Sequence, residues 1–487
     1  MRRSIAVVAG CALLFSGCGS GEPGGPAAPA QKPATSERAQ KADPGRAKTL
    51  YETHCAPCHG IAGDGQGTAA YLLSPRPRDF TRSFRLVSTR DGVPTDEDLL
   101  RTLERGMPGS AMPSWAHLPE ADRRALVALI KSFNPSRFEG EREPISVPPE
   151  TAADEASIAR GKALYATNCA PCHGPEGRGD GKQAQVDEEE RPVRPRDLTR
   201  GIYKGGGTPR DTFLRVRAGM PGSPMPANNA LSDAELWDVV HFVHSLAPAG
   251  GETRGVQVRR KIEAKRVENL PEGPADPAWA RAGAAEIVLA PLSWREDRVE
   301  SVAVSALHDG KKIAFRLAWK SPRAEGIDDF RDGAAIEIAT TPEEPSFAMG
   351  QKGAPVEILQ WRGENPKAAR RAFDDAHALG LDFYAARDAQ NPIADPAVSA
   401  VLLEDASGFG TLAVAPRTAQ LASGAARYEG GGWQITIVRP LGKPDGRCAD
   451  LVPGGARPVA FAIWQGAYGD RNGQKNFSMW HDLAIER

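Results

Sequence analysis

HCAPCHG at residues 54–60 and NCAPCHG at residues 168–174 decide the reading of this chain. In each, two cysteines separated by two residues are followed at once by a histidine, the spacing of covalent haem attachment. Cys55 and Cys58, then Cys169 and Cys172, supply thiols for thioether bonds to haem vinyl groups. His59 and His173 follow as iron ligands. A zinc or dithiol site uses similar residues, but two copies with matching downstream methionines favour haem. Covalent haem is first an electron carrier, so the expectation is a redox protein with no catalytic residue of its own.

The motifs belong to a tandem repeat. GRAKTLYETHCAPCHG (45–60) recurs as ARGKALYATNCAPCHG (159–174), RPRDFTR (76–82) as RPRDLTR (194–200), and GMPGSAMP (106–113) as GMPGSPMP (219–226). The second copy gains four residues before its RPRD element, including the acidic run Asp187–Glu190, which reads as a solvated loop. Each copy closes on an amphipathic helix. Pro119 opens the first, with Leu126, Leu129, Ile130 and Phe133 as its apolar stripe. Ser232 with Glu235 forms a capping box for the second, whose stripe is Val239, Phe242, Val243 and Leu246. His241 and His244 fall off that stripe and are expected on the polar face. His54 and His117 are expected at the surface or just behind the haem ligands.

A helix leading into CxxCH and a helix closing the unit resembles class I cytochrome c, over residues 45–136 and 150–248. The resemblance implies two all-α domains with a methionine as second iron ligand, at Met112 in AMPSW and Met225 in PMPAN. Thioether ligation opposite histidine favours reduced iron. Met107 and Met220, five residues earlier, compete for that place. Arg76, Arg78, Arg194 and Arg196 of the RPRD elements either bond haem propionates or hold a loop through an Arg–Asp pair.

The N-terminus reads as an export signal. Arg2 and Arg3 precede a short apolar run, and LLFSGC ends at Cys18, which resembles a lipoprotein processing site. Residues 1–18 are then a signal peptide with Cys18 lipidated, residues 19–44 a Gly/Pro/Ala-rich tether, and the address is the periplasmic side of a bacterial membrane. With Cys11 and Cys18 in the signal and four cysteines in the haem motifs, Cys448 remains as a small packed side chain. A formal net charge of −1 gives no global basic field for nucleic acid.

Residues 249–268 are polar and basic and read as a linker or a turn or two of helix. Beyond them the period becomes two: Val302 and Val304 lead to a turn at Asp309-Gly310, and Ile313, Phe315, Leu317 and Trp319 alternate after it. Similar runs occur at Ile336/Ile338, Trp433/Ile435/Ile437 and Val459/Phe461/Ile463. Residues 269–487 are therefore expected to form an all-β sandwich with helical insertions, one of them in the Ala- and Asp-rich segment 366–425.

DPAWA (276–280), SFAMGQKGAPVEILQWRGE (346–364), WQITIVRPL (433–441) and VAFAIWQGAYGDRNGQKNFSMWHDL (459–483) together resemble the haem b-binding γ subunit of ethylbenzene dehydrogenase and dimethyl sulfide dehydrogenase. The resemblance implies one non-covalent haem b, with Met349 and Lys475 at the ligand positions. An amine binds iron only when deprotonated, so Lys475 would need a setting that lowers its pKa. The expectation is an exported electron-transfer protein with two haem c and one haem b. Its implied partners are a molybdopterin oxidoreductase catalytic subunit and a respiratory carrier. Two rivals remain: a haem enzyme acting on a small substrate at an open iron position, and a dihaem cytochrome whose β domain is a haem-free docking or carbohydrate-binding module.

Overall fold

The computed structural model describes residues 44–248, 256–292, 295, 297–325, 330–347, 349–363 and 401–487. The export signal, Cys18, nearly all of the tether and the part of the expected insertion at 366–400 lie outside the described residues.

The helical part is two copies of one plan. In the first, α1 (Pro44–Leu50) runs through one π turn into α2 (Ala56–His59), followed by α3 (Asp96–Arg105) and α4 (Glu120–Ser132). The second copy has α5 (Glu155–Asn168), α6 (Ala170–His173), α7 (Pro209–Ala218) and α8 (Asp233–Ser245). The Ser232–Glu235 capping box forms as read. A second box, Thr95 with Asp98, starts α3.

The first and last helices of each copy are tied alike. Arg46 pairs with Asp122 at 2.7 Å, and Arg160 pairs with Asp238 at 2.7 Å. The Tyr51 hydroxyl donates to the Gly60 carbonyl at 2.7 Å, and the Tyr165 hydroxyl to that of Gly174 at 2.9 Å. In the second copy the helices pass closer. A Cβ on Gly161 would stand 1.9 Å from the Asp238 carbonyl oxygen, so this crossing requires glycine where the first copy has Ala47.

Helix α8 is buried beyond its predicted stripe, continuously from Leu236 to Val243. His241 is thus not a polar-face residue. It is 4% exposed, 2.7 Å from the Ser157 hydroxyl and beside Trp237. Packing of α8 against both α5 and α7 removes the solvent face that a single-stripe reading assigns to it.

The C-terminal part is one mixed sheet. Its strands are β1 (Lys261–Arg266), β2 (Ala285–Val288), β3 (Ala290–Pro291), β4 (Ser301–His308), β5 (Lys312–Lys320), β6 (Gly333–Ala339) and β7 (Val356–Arg362). Strands β8 (Val401–Ala406), β9 (Ala413–Val414), β10 (Ser423–Glu429), β11 (Gly432–Pro440), β12 (Ala456–Trp464), β13 (Asn476–Phe477) and β14 (His481–Ile485) follow. The order is β10-β11-β5-β4-β1-β14-β12-β6-β7-β8-β9, with β2 beside β4 and β13 beside β12 and β3. The turn at Asp309-Gly310 joins β4 to β5, and the Asp309 carboxylate accepts from the Lys311 and Lys312 amides.

One reading is corrected here. The segment 249–268 is not only a linker: β1 lies within it, parallel to both β4 and β14. Its partners lie far along the chain, so a local reading sees only a polar stretch. Within 366–425 the described residues, 401–425, form β8, β9, a 3-10 turn at Arg417–Ala419 and the start of β10.

Alternate residues from both halves of the strand order, among them Ile262, Phe315, Ile336, Trp361, Ile435 and Phe461, share one core. The opposite face of β6, β7 and β12 also carries apolar residues. Ala335, Ile358, Ala460, Ala462 and Trp464 belong to a second cluster that includes Tyr51, Phe80, Trp115 and Leu126 of the first helical repeat. The repeat therefore covers a sheet face that would otherwise meet water. Gln257 fastens this contact: its carbonyl accepts from the Ser114 amide at 3.2 Å, and its side chain bridges the Phe477 carbonyl and the Met479 amide.

Candidate functional site

In the first repeat, Cys55, Cys58 and His59 lie on the π turn and α2, where Pro57 near the helix start costs no backbone bond. They line an apolar crevice of about 140 Å³ together with Phe80, Leu99, Leu103, Met107, Met112 and Trp115. Nδ1 of His59 is 2.9 Å from the Arg78 carbonyl oxygen. A carbonyl can only accept, so Nδ1 carries the proton and Nε2 keeps its lone pair. Burial holds the ring neutral, with its pKa down to about 4, and Phe80 stacks on it with centroids 4.4 Å apart. The second repeat repeats the contact, with His173 Nδ1 at 3.2 Å from the Arg196 carbonyl oxygen. The RPRD element thus serves the histidine through its backbone, a role its side chains do not reveal.

The methionine loops match as well. The Met107 amide donates to the Met112 carbonyl at 3.0 Å, and the Met220 amide to that of Met225 at 2.9 Å. Gly106 and Gly219, at φ of +66° and +67°, turn each loop back onto the helix before it, and a Cβ there would strike backbone of the loop at 2.4 and 2.5 Å. Met107 and Met112 both line the first crevice, so the structure brings both candidates to it.

Two thiols, an adjacent histidine and thioethers that line the same apolar crevice fit a covalently held haem. Burial pushes the Cys55 and Cys58 thiols up to about 12.

Met349 and Lys475 are brought to one cavity, of about 460 Å³, on the outer face of β6, β7, β8 and β12. Met349 stands at φ +65°, uncommon for a residue with a Cβ, in a turn where the Gly350 amide donates to the Ser346 carbonyl. Burial draws the Lys475 amine down from its ordinary value, against the pull of Glu337 and Glu404. Sequence reasoning missed these two carboxylates. Glu404 is buried and Glu337 half-buried; desolvation holds Glu337 up to about 8 and Glu404 to about 7, and each has a buried Oε1 without a hydrogen-bond partner. An acidic residue inside a largely apolar strand, Glu337 in AAIEIA and Glu404 in VLLEDA, was the available signal. The volume, the methionine, the amine of lowered basicity and the orphaned buried oxygens fit a haem-sized polar-edged ligand.

The two cavities share a wall. Cys58, Leu73 and Phe347 line both, and Ala69, Tyr71 and Leu72 of the first repeat complete the larger one. His54 is not a surface group. Its side chain is 10% exposed, packs on Trp115 and lies 3.8 Å from Glu344 of the β domain.

The acidic run is not a solvated loop either. Asp187 pairs with Arg85 at 3.2 Å, and Glu188 and Glu189 meet Arg78 at 2.6 and 3.6 Å. Three residues of the acidic run clasp the first repeat because its arginines face them across the seam. No helix among the described residues is long and apolar enough to cross a membrane.

Comparison with known proteins agrees with this division. Residues 42–130 match the family model for cytochrome c oxidase, cbb3-type, subunit III, residues 158–247 that for cytochrome c, and residues 276–476 that for ethylbenzene dehydrogenase. The chain is 27% identical to the dimethylsulfide dehydrogenase subunit gamma of Rhodovulum sulfidophilum, over 43% of this chain and 73% of that one. It is 25% identical to the chlorate reductase subunit gamma of Ideonella dechloratans, over 56% and 94%. It is 24% identical to a putative respiratory nitrate reductase heme subunit of Haloferax mediterranei, over 46% and 72%. The chain thus joins two cytochrome c-type segments to a C-terminal segment similar to the ethylbenzene dehydrogenase family.

Proposed function

We propose that this protein is an exported electron-transfer subunit holding two haem c and one haem b. Cys55, Cys58 and His59 hold the first haem c, and Cys169, Cys172 and His173 the second, with Met112 and Met225 as the opposite iron ligands. Met349 and Lys475 hold haem b on a sheet folded over as a sandwich. The observation that carries this reading is the shared wall: Met349 and Lys475 line a cavity that Cys58, Leu73 and Phe347 separate from the first CxxCH crevice.

When bound, the haems supply one-electron chemistry at the iron. The residues do the rest. The Arg78 and Arg196 carbonyls fix each histidine tautomer, the apolar crevices exclude water, and the thin wall keeps two redox groups adjacent, where electron tunnelling is fastest. By analogy with the subunits named above, the β domain faces a molybdopterin oxidoreductase catalytic subunit and the c domains face a respiratory carrier. Cys18 supplies a lipid anchor on the periplasmic side.

A pyridine haemochrome spectrum of the purified holoprotein tests the reading. Two c per one b is expected. Two c without b reduces the β domain to a docking module.

A further inference from the structure

We propose that the first haem's propionate carboxylates are held from across the seam between the repeats, by Lys204 and Arg191 of the second repeat with Arg78 and Arg85 of the first. This rests on a covalent haem in the first crevice, and it makes that site incomplete without the second repeat.

Four observations carry it. Arg191 and Lys204 line the crevice of His59 and Met112 although they belong to the other repeat. The Arg78 and Arg85 side chains are only 15% and 13% exposed. Buried nitrogens on both, Nε and Nη1 of Arg78 and Nε of Arg85, lack hydrogen-bond partners. The charged groups that draw Lys204 down are Arg196 and Arg85, both of its own sign, while Asp98 and Asp211 share only a small neighbouring pocket with it.

The carboxylates that pair with these arginines come from one short strap. Asp187 serves Arg85, Glu188 and Glu189 serve Arg78, and Glu189 also meets Arg191. They leave the crevice side of the arginines and the Lys204 ammonium unanswered. Buried charges beside others of like sign are costly unless an anion joins them. A haem in this crevice brings two carboxylates, and arginine binds such groups through paired, charge-assisted hydrogen bonds. Burial and its cationic neighbours draw Lys204 down to about 7, and a propionate beside it would restore the charged form. The strap lies within the stretch by which the second repeat outgrows the first, so the two haem sites are built differently.

The test is a potentiometric titration of the holoprotein and of Lys204→Gln, Arg191→Gln and Lys204→Arg. The first haem is marked by Cys55→Ala in the background, because a single thioether link displaces its absorption band. Oxidised haem carries one more positive charge than reduced haem, so losing a nearby cation favours oxidation. Both glutamine variants should lower the midpoint potential of the marked haem and leave the second c haem unmoved, with Lys204→Arg close to wild type. An unmoved potential in both glutamine variants, or equal shifts of both c haems, would overturn the proposal. So would a wild-type potential that responds to millimolar inorganic phosphate and loses the response in Lys204→Gln, because a free anion would then be the occupant. If Lys204→Gln does not fold, Arg191→Gln decides. Haem c content measured on each variant separates failure of this proposal from failure of the haem assignment beneath it.

Discussion

Nδ1 of His59 donates to the carbonyl oxygen of Arg78 across 2.9 Å, which leaves Nε2 as the only nitrogen able to meet iron. The bond joins a residue of the CxxCH helix to a loop nineteen positions later, so the ligand is aimed by a segment outside its own motif.

Phe80 supports that arrangement from the other side of the ring. Phe80→Ala should destabilise the protein by about 3–5 kcal/mol, the usual cost of emptying a buried aromatic site. Urea unfolding of the holoprotein followed by the haem absorbance measures it. A loss below about 1 kcal/mol would mean that the crevice refills around the histidine.

Met349 and Lys475 offer a cleaner separation of the domains. Replacing either with Ala should abolish haem b absorbance while both c haems stay at full content in the haemochrome spectrum. Unchanged b content in both variants would reject the pair as ligands.

Arg439 and Glu357 form an ion pair at 2.7 Å in the sheet core, with side chains 2% and 1% exposed. Glu357→Ala leaves a buried guanidinium without its partner and should cost about 3–5 kcal/mol. Replacing both residues by apolar side chains of similar volume should cost far less. Equal losses in the single and double variants, read from denaturant midpoints, would show that shape rather than charge governs this part of the core.

His481 sets an acid limit. It is 1% exposed, accepts from the Arg260 amide at 3.0 Å, and burial draws its pKa down to about 3 from 6.5. Below pH 6.5 the unfolded chain takes up a proton that the folded one refuses. Stability is therefore intact above that pH and is lost as pH falls toward 3, by up to about 1.4 kcal/mol per unit. His481→Gln keeps an acceptor but cannot titrate, so its stability should fall less steeply between pH 6.5 and 4.5. Parallel slopes for the two proteins would remove His481 as the cause.

Much of the fold was legible in particular residues. Ile313, Phe315, Leu317 and Trp319 alternate and all face one core, and Ser232 with Glu235 starts the helix it was read to start. What escaped was long-range. KIEAKR looks polar in isolation, yet Ile262 pairs with Leu483 and Ala264 with Ala306, so strand character there depends on neighbours the local sequence does not contain. His241 looked solvent-facing because a helix pattern gives the direction of one stripe and not the number of neighbours around it. Glu337 and Glu404 were passed over for a related reason: period two assigns them a face but does not say what covers it.

The sequence by itself determined the covalent chemistry. Two thiols and an imidazole in five residues lie within about one and a half helical turns, so their relation is local and needs no other part of the chain. Only the tertiary structure decided that the CxxCH crevice of the first repeat shares a wall with the Met349–Lys475 cavity, and that Lys204 of the second repeat reaches the first. Those relations arise because an apolar sheet face and a set of half-buried cations each need a partner, and such partners are found by packing in three dimensions.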